Sequence, residues 1–140
     1  MKNIILTAFT VLLITRSCYA QSKQLVPIVV SGPKIEFDQL TFDFGTVPYM
    51  GNGTHVYVFT NTGTEPVILT NVVKGCGCTA VDWTRTPVLP GKKGMVKATY
   101  NTRHVGLFNK GVDVYNNSAV PRINLRLKGT VEALPQEGSN

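Results

Sequence analysis

Residues Val56–Thr79 (VYVFTNTGTEPVILTNVVKGCGCT) read as a strand, a turn, a second strand and a cysteine corner. Val56 to Thr60 is β-branched and aromatic, the composition that strands favour. Its alternation sends Tyr57 and Phe59 to one face and Val56 and Val58 to the other. Asn61-Thr62-Gly63-Thr64-Glu65-Pro66 combines residues that bond their own backbone or accept unusual φ, a turn. Val67 to Val73 is the next strand, and Gly75-Cys76-Gly77-Cys78-Thr79 forms the corner.

The same rhythm extends both ways. Upstream, Ile35 to Phe44 alternates as one strand that Gly45 and Pro48 end, with Phe42 and Phe44 sharing a face. Met50-Gly51-Asn52-Gly53-Thr54 is a turn. Downstream, Val96, Ala98 and Tyr100 form the inner row of one strand, and Val112 and Val114 that of another. In the last strand Ile123, Leu125, Leu127 and Val131 face in, and Gly129 occupies an inward place where no side chain is needed. No segment has a helical period. About seven strands with regularly spaced turns predict an all-β, immunoglobulin-like sandwich over residues 35–132, with a closed barrel as the alternative.

The N-terminus predicts export. Lys2 precedes an apolar run, Ile4 to Ile14, of about 11 residues, a signal-peptide length and well short of the roughly 20 a bilayer requires. Cleavage after Ala20 is expected, making residues 1–20 a signal peptide and the destination periplasmic or secreted, with no transmembrane span in the mature chain. A lipid anchor at Cys18 is disfavoured, because Thr15-Arg16-Ser17 lacks the aliphatic and small residues such a site carries. Residues 21–34 form a leader whose Leu25-Val26-Pro27-Ile28-Val29-Val30 is β-prone, and residues 133–140 a polar tail expected to fray.

The full chain has 14 Lys and Arg against 8 Asp and Glu, a formal charge of +6. Loss of Lys2 and Arg16 with the expected signal peptide leaves 12 against 8, or +4. The cations (Lys92, Lys93, Arg122, Arg126, Lys128) are scattered among apolar residues, as on a solvated strand face, so no nucleic-acid partner is expected.

Of three cysteines, Cys18 lies in the expected signal peptide, so Cys76 and Cys78 are the pair that could carry chemistry. Three readings stay open. A disulfide is possible, although residues two apart on a straight strand are about 6.5–7 Å apart at Cα, the upper edge of bridging range. Such a small ring would be labile and redox-active. Two thiolates on one face could instead hold Cu(I), with His55, His104, Met50 and Met95 the only other soft ligands, none at ligand spacing. Or the cysteines are compact hydrophobes at a strand corner beside Trp83. No cofactor is expected.

Enzymatic constellations are missing. Ser22, Ser31, Ser118 and Ser139 lie in no nucleophile-elbow context, and two histidines make a triad hard to assemble. Asp38 and Asp43 read as solvated acids. The glycines sit in hairpin turns with no following helix to cradle phosphate.

The succession Phe42-Asp43-Phe44-Gly45, Phe59-Thr60-Asn61-Thr62-Gly63, Gly75-Cys76-Gly77-Cys78-Thr79, Leu89-Pro90-Gly91 and Leu127-Lys128-Gly129 resembles the bacterial family known as domain of unknown function 1573. That family is common in Bacteroidetes and usually secreted. It is similar in turn to the immunoglobulin-like domains of major sperm protein and of cilium- and centrosome-associated proteins. Its usual motif has Ser where this chain has Gly75. The resemblance implies a non-catalytic binding or scaffolding module of the cell envelope, contacting another envelope protein through a strand edge or sheet face. The competing expectation is a thiol redox or Cu(I)-binding protein centred on Cys76 and Cys78.

Overall fold

The computed structural model describes residues 31–135. The expected signal peptide with Cys18, the expected cleavage after Ala20, the Leu25–Val30 segment and the last residues of the tail lie outside them. Eight strands form: β1 (Ile35–Phe37), β2 (Thr41–Pro48), β3 (Thr54–Asn61), β4 (Leu69–Lys74), β5 (Thr79–Trp83), β6 (Lys93–Tyr100), β7 (Gly106–Asn116) and β8 (Arg122–Glu132). They make two four-stranded sheets, ordered β1-β3-β6-β5 and β2-β8-β7-β4. This is the immunoglobulin-like sandwich that the alternation predicts, with no helix among the described residues.

The extra strand has a local cause. The expected single strand Ile35–Phe44 breaks at Asp38–Leu40 and changes sheets. Asp38 N–H makes the last bond to the first sheet, at Val58 O (3.0 Å), and Leu40 O accepts the first from the second, from Arg126 N–H (2.8 Å). The first part pairs antiparallel with β3 and the second parallel with β8. Val67 is also not part of a strand; it forms an isolated bridge to Val88, and β4 begins at Leu69.

The core lies between the sheets. Tyr57, Phe59, Val96, Ala98, Val112, Val114, Leu125, Leu127 and Val131 are all at most 1% exposed. Each sheet contains one phenylalanine directly opposite a glycine on the neighbouring strand: Phe59 faces Gly94 and Phe108 faces Gly129. A Cβ on Gly94 would lie 2.3 Å from Phe59 Cζ, and one on Gly129 2.9 Å from Phe108 Cζ. The rings therefore occupy the space that the glycines leave.

Tyr57 ties the sheets together. Its hydroxyl donates to Arg126 O at 2.6 Å across the sandwich, and burial pushes its pKa up to about 12. Because the folded value exceeds the ordinary one, this contribution is complete below about pH 10 and is lost as pH rises toward 12. Tyr57→Phe is expected to remove that alkaline loss; equal slopes of stability against pH for both proteins would refute the assignment.

The outer face of the second sheet is a polar lattice. Asp113 accepts from Arg122 (2.8 Å) and Asn124 (2.8 Å), and Lys128 pairs with Asp43 (3.2 Å). The Arg122 bond, then that of Asn124, holds the Asp113 carboxyl below its ordinary range.

Each of the four sheet edges is partly guarded. Hydrogen bonds at either end of the β5–β6 ladder (Asn101 N–H to Cys78 O, Thr84 N–H to Met95 O) fix its alternation, which turns Trp83 N–H toward the open edge. There Asp82 Oδ1 accepts it at 2.9 Å. The bond from Gly75 N–H to Gly111 O likewise turns Val72 N–H outward on β4, where Asn71 Oδ1 accepts it at 2.9 Å. On β2 the bulge after Asp43 frees Gly45 N–H, which Asp43 Oδ1 accepts at 2.8 Å, and Pro48 has no N–H to offer. β1 is only three residues long and carries the Lys34–Glu36 ion pair. Short edge strands, charges and prolines of this kind hinder pairing with another chain.

Candidate functional site

The cysteine corner joins the edge of one sheet to the edge of the other. Beyond Lys74 the ladder continues for one residue, Gly75, whose N–H bonds Gly111 O at 3.0 Å. A Cβ there would stand 3.1 Å from that same carbonyl, so glycine permits close strand approach. The chain then turns, with Thr79 N–H reaching back to Cys76 O at 3.4 Å, and enters β5. This turn draws Cys76 and Cys78 to a Cα separation of 5.3 Å, inside bridging range, and the two form a disulfide. Both cysteines are half-buried, Thr79 Oγ1 lies 3.6 Å from Cys76 Sγ, and Gly77 at the tip has open space above it.

Trp83 is not beside this pair. It lies at the other end of β5, with the Arg85 guanidinium 3.5 Å above its ring. The cysteines are thus neither fully buried nor packed on the indole.

A groove of about 550 Å³ opens at the corner, between the β2–β3 loop, the cysteine turn and the loop after β6. Met50, Lys74, Cys78, Asn101 and Arg103 are among its lining residues. Gly53 closes its floor: a Cβ there would come 2.4 Å from Tyr100 O. Asn52 Oδ1 accepts Thr54 N–H (2.9 Å) and Asn101 Oδ1 accepts Arg103 N–H (3.1 Å), fixing the two loops.

The other sequence candidates lie elsewhere. His55 stacks on Phe42 with ring centroids 3.7 Å apart and meets Gln39 Nε2 at 3.0 Å, and burial lowers its pKa. His104 is exposed in the turn after Asn101, and Met95 is on the outer surface of the first sheet. Ser118 caps its own turn. Asp43 is engaged by Gly45 and Lys128. Among the described residues no three His, Cys, Asp or Glu side chains gather as a metal-holding group. Met50 is the one soft ligand that shares the groove with Cys78, a proximity that sequence spacing could not reveal.

The disulfide closes a loop of three residues, Cys76 to Cys78, and chain-entropy scaling gives such a loop roughly 1.6 kcal/mol, against about 3 for a fifteen-residue loop. Cys76→Ser/Cys78→Ser is therefore expected to fold and to lose less than about 2 kcal/mol in urea denaturation. A loss of about 4 kcal/mol or more would identify the pair as a main structural staple.

The sequence pattern of a family described as a protein of unknown function, DUF1573, matches residues 35–131. The chain belongs to the DUF1573 family. No curated protein matches it. Among solved structures, this DUF1573 chain is similar to a protein of unknown function from Porphyromonas gingivalis W83 (14% identity, TM-score 0.63, 73% of this chain and 48% of that one). It is similar also to the VesB protease of Vibrio cholerae (15% identity, TM-score 0.59, 69% and 31%). A third likeness is the ASH / PapD-like domain 7 of human CEP192 (14% identity, TM-score 0.60, 73% and 87%). The DUF1573 chain thus spans about half of the Porphyromonas structure and about a third of the protease. At these identities the likeness is one of fold.

Proposed function

We propose that this DUF1573 protein is a secreted, non-catalytic binding or scaffolding module of the bacterial envelope, and that it holds another envelope protein at the disulfide end of its sandwich. The N-terminal signal pattern supports export, and no helix among the described residues is long and apolar enough to cross a membrane. The observation that carries the binding site is the open groove built by three loops at one end of a rigid sandwich, the usual location for recognition on such scaffolds. The partly guarded edges favour loop contact over strand addition.

The test is site-specific photo-cross-linking in the native envelope. A photoreactive residue in place of Met50 is expected to give a discrete adduct that Lys74→Glu or Arg103→Glu alters. The same residue in place of Val120, exposed at the opposite end, is expected to give none. Equal labelling from both positions, or none from Met50, would defeat this reading.

The half-exposed Cys76–Cys78 disulfide favours a second reading, thiol exchange with a partner dithiol, or Cu(I) binding once the pair is reduced. If Cys76→Ser/Cys78→Ser leaves both thiol reactivity and copper content of the envelope-purified protein unchanged, that reading fails.

A further inference from the structure

We infer that the groove at the disulfide end takes an acidic peptide segment of its partner protein, with Met50 as the apolar anchor. The inference rests on the binding-module reading and adds the chemistry of the partner.

Charge complementarity is the first support. The charged residues lining the groove are Lys74 and Arg103; no carboxylate lines it. Neither cation takes part in any of the four ion pairs among the described residues, which use Lys34, Arg85, Arg122 and Lys128. The polar groups beside them are chiefly donors. Asn52 and Asn101 spend their oxygens on backbone N–H groups, and their amide nitrogens make no bond among the described residues. Unpaired cations and spare N–H donors suit carboxylates, the strongest acceptors among side chains.

Met50 supplies the second support. It is the one non-glycine residue with positive φ among the described residues (58°), and it is 60% exposed. Glycine or asparagine occupies that conformation at much lower cost. Its neighbours do not relax it: Met50 N–H bonds Thr102 O at 3.2 Å, and Thr102 Oγ1 donates to Gly51 O at 2.7 Å. A flexible thioether chain is thus displayed on the groove rim in a disfavoured backbone state, without burial in return. An unbranched, polarizable side chain adapts readily to an apolar residue of a ligand. Strain held at an exposed position in this way accords with a recognition role.

The test uses a synthetic nonapeptide array, displayed to the intact purified protein, in which a central Leu or Phe is flanked by zero to four Asp or Glu, with Lys-flanked matches. Binding is expected to rise with carboxylate number, to weaken with added salt, and to fall roughly tenfold in Lys74→Glu/Arg103→Glu. Met50→Asn, which suits the positive φ, is expected to leave the melting temperature unchanged or raised while weakening acidic peptides at least fivefold. Binding that ignores charge, that survives Met50→Asn, or that polygalacturonate shares with equal affinity overturns the proposal. Array binding that ignores charge, alongside a discrete Met50 cross-link in the envelope, would remove the acidic partner and leave the binding module standing.

Discussion

Phe59→Ala is expected to destabilise the protein by about 3–5 kcal/mol, the range for loss of a buried aromatic side chain. Phe59 is fully buried, and its ring lies over Gly94 on the paired strand. The glycine offers no side chain that could lean into the vacated volume, so collapse of the cavity is limited. Total stabilities of single domains are about 5–15 kcal/mol, so one such substitution is a large fraction of the whole. The reciprocal change also fails: Gly94→Val places a Cβ against the ring at 2.3 Å, and overpacking of that kind is destabilising by about 1–3 kcal/mol or more. The combined Phe59→Ala/Gly94→Val variant should be less damaged than the sum of the two, because each removes the other's fault. Urea denaturation of the three variants tests the pairing; strict additivity would show that ring and glycine are not coupled.

Asn61→Ala is expected to lose about 3 kcal/mol, from three hydrogen bonds contributing roughly 1 kcal/mol each. Asn61 is fully buried at the end of β3. Its Nδ2 donates to Glu65 O (2.7 Å) and Val88 O (2.8 Å), and its Oδ1 accepts Gly63 N–H (2.9 Å). It thereby fixes the β3–β4 turn and ties that turn to the segment holding the Val67–Val88 bridge. Asn61→Asp should be at least as harmful, since a carboxylate would face two carbonyl oxygens with no proton to share. Asn116 repeats the arrangement at the end of β7, with Nδ2 donating to Val120 O and Oδ1 accepting Ser118 N–H. Thermal melts that show either asparagine to be replaceable by alanine at a cost under about 0.5 kcal/mol would contradict this account.

Much of the sandwich is legible in the sequence because its inner rows obey a two-residue period. Tyr57 and Phe59, Val96 and Ala98, and Leu125 and Leu127 all face inward as their alternation predicts. What alternation cannot encode is partnership. Nothing between Ile35 and Phe44 announces that the chain leaves one sheet for the other at Asp38–Leu40, because both halves expose one face either way. Asn61 reads as an ordinary turn residue, and one of its two carbonyl partners, Val88 O, is brought near only by distant pairing. The site is legible only in part. The Cys76-Gly77-Cys78 spacing marks the corner, but the turn that draws the cysteines together is a backbone feature of the sheet-to-sheet crossing. Met50 reads as one residue of a hairpin loop. Its kinship with Cys78 depends on three loops converging, and its positive φ runs against the residue type found there.

The guarded strand edges also bear on how the chain folds. Each cap is local: Asp43 reaches two residues along to Gly45, and Asn71 and Asp82 reach the next residue. Bonds of that range can form as soon as a segment extends, before distant strands are found. A topology rich in long-range pairing folds slowly, and its intermediates expose apolar faces and unpaired strands to one another. With one outward amide on each of β2, β4 and β5 already occupied, such intermediates present fewer donors for intermolecular ladders. The same short side chains that shape the finished surface thus act as kinetic gatekeepers against aggregation while the core is still open.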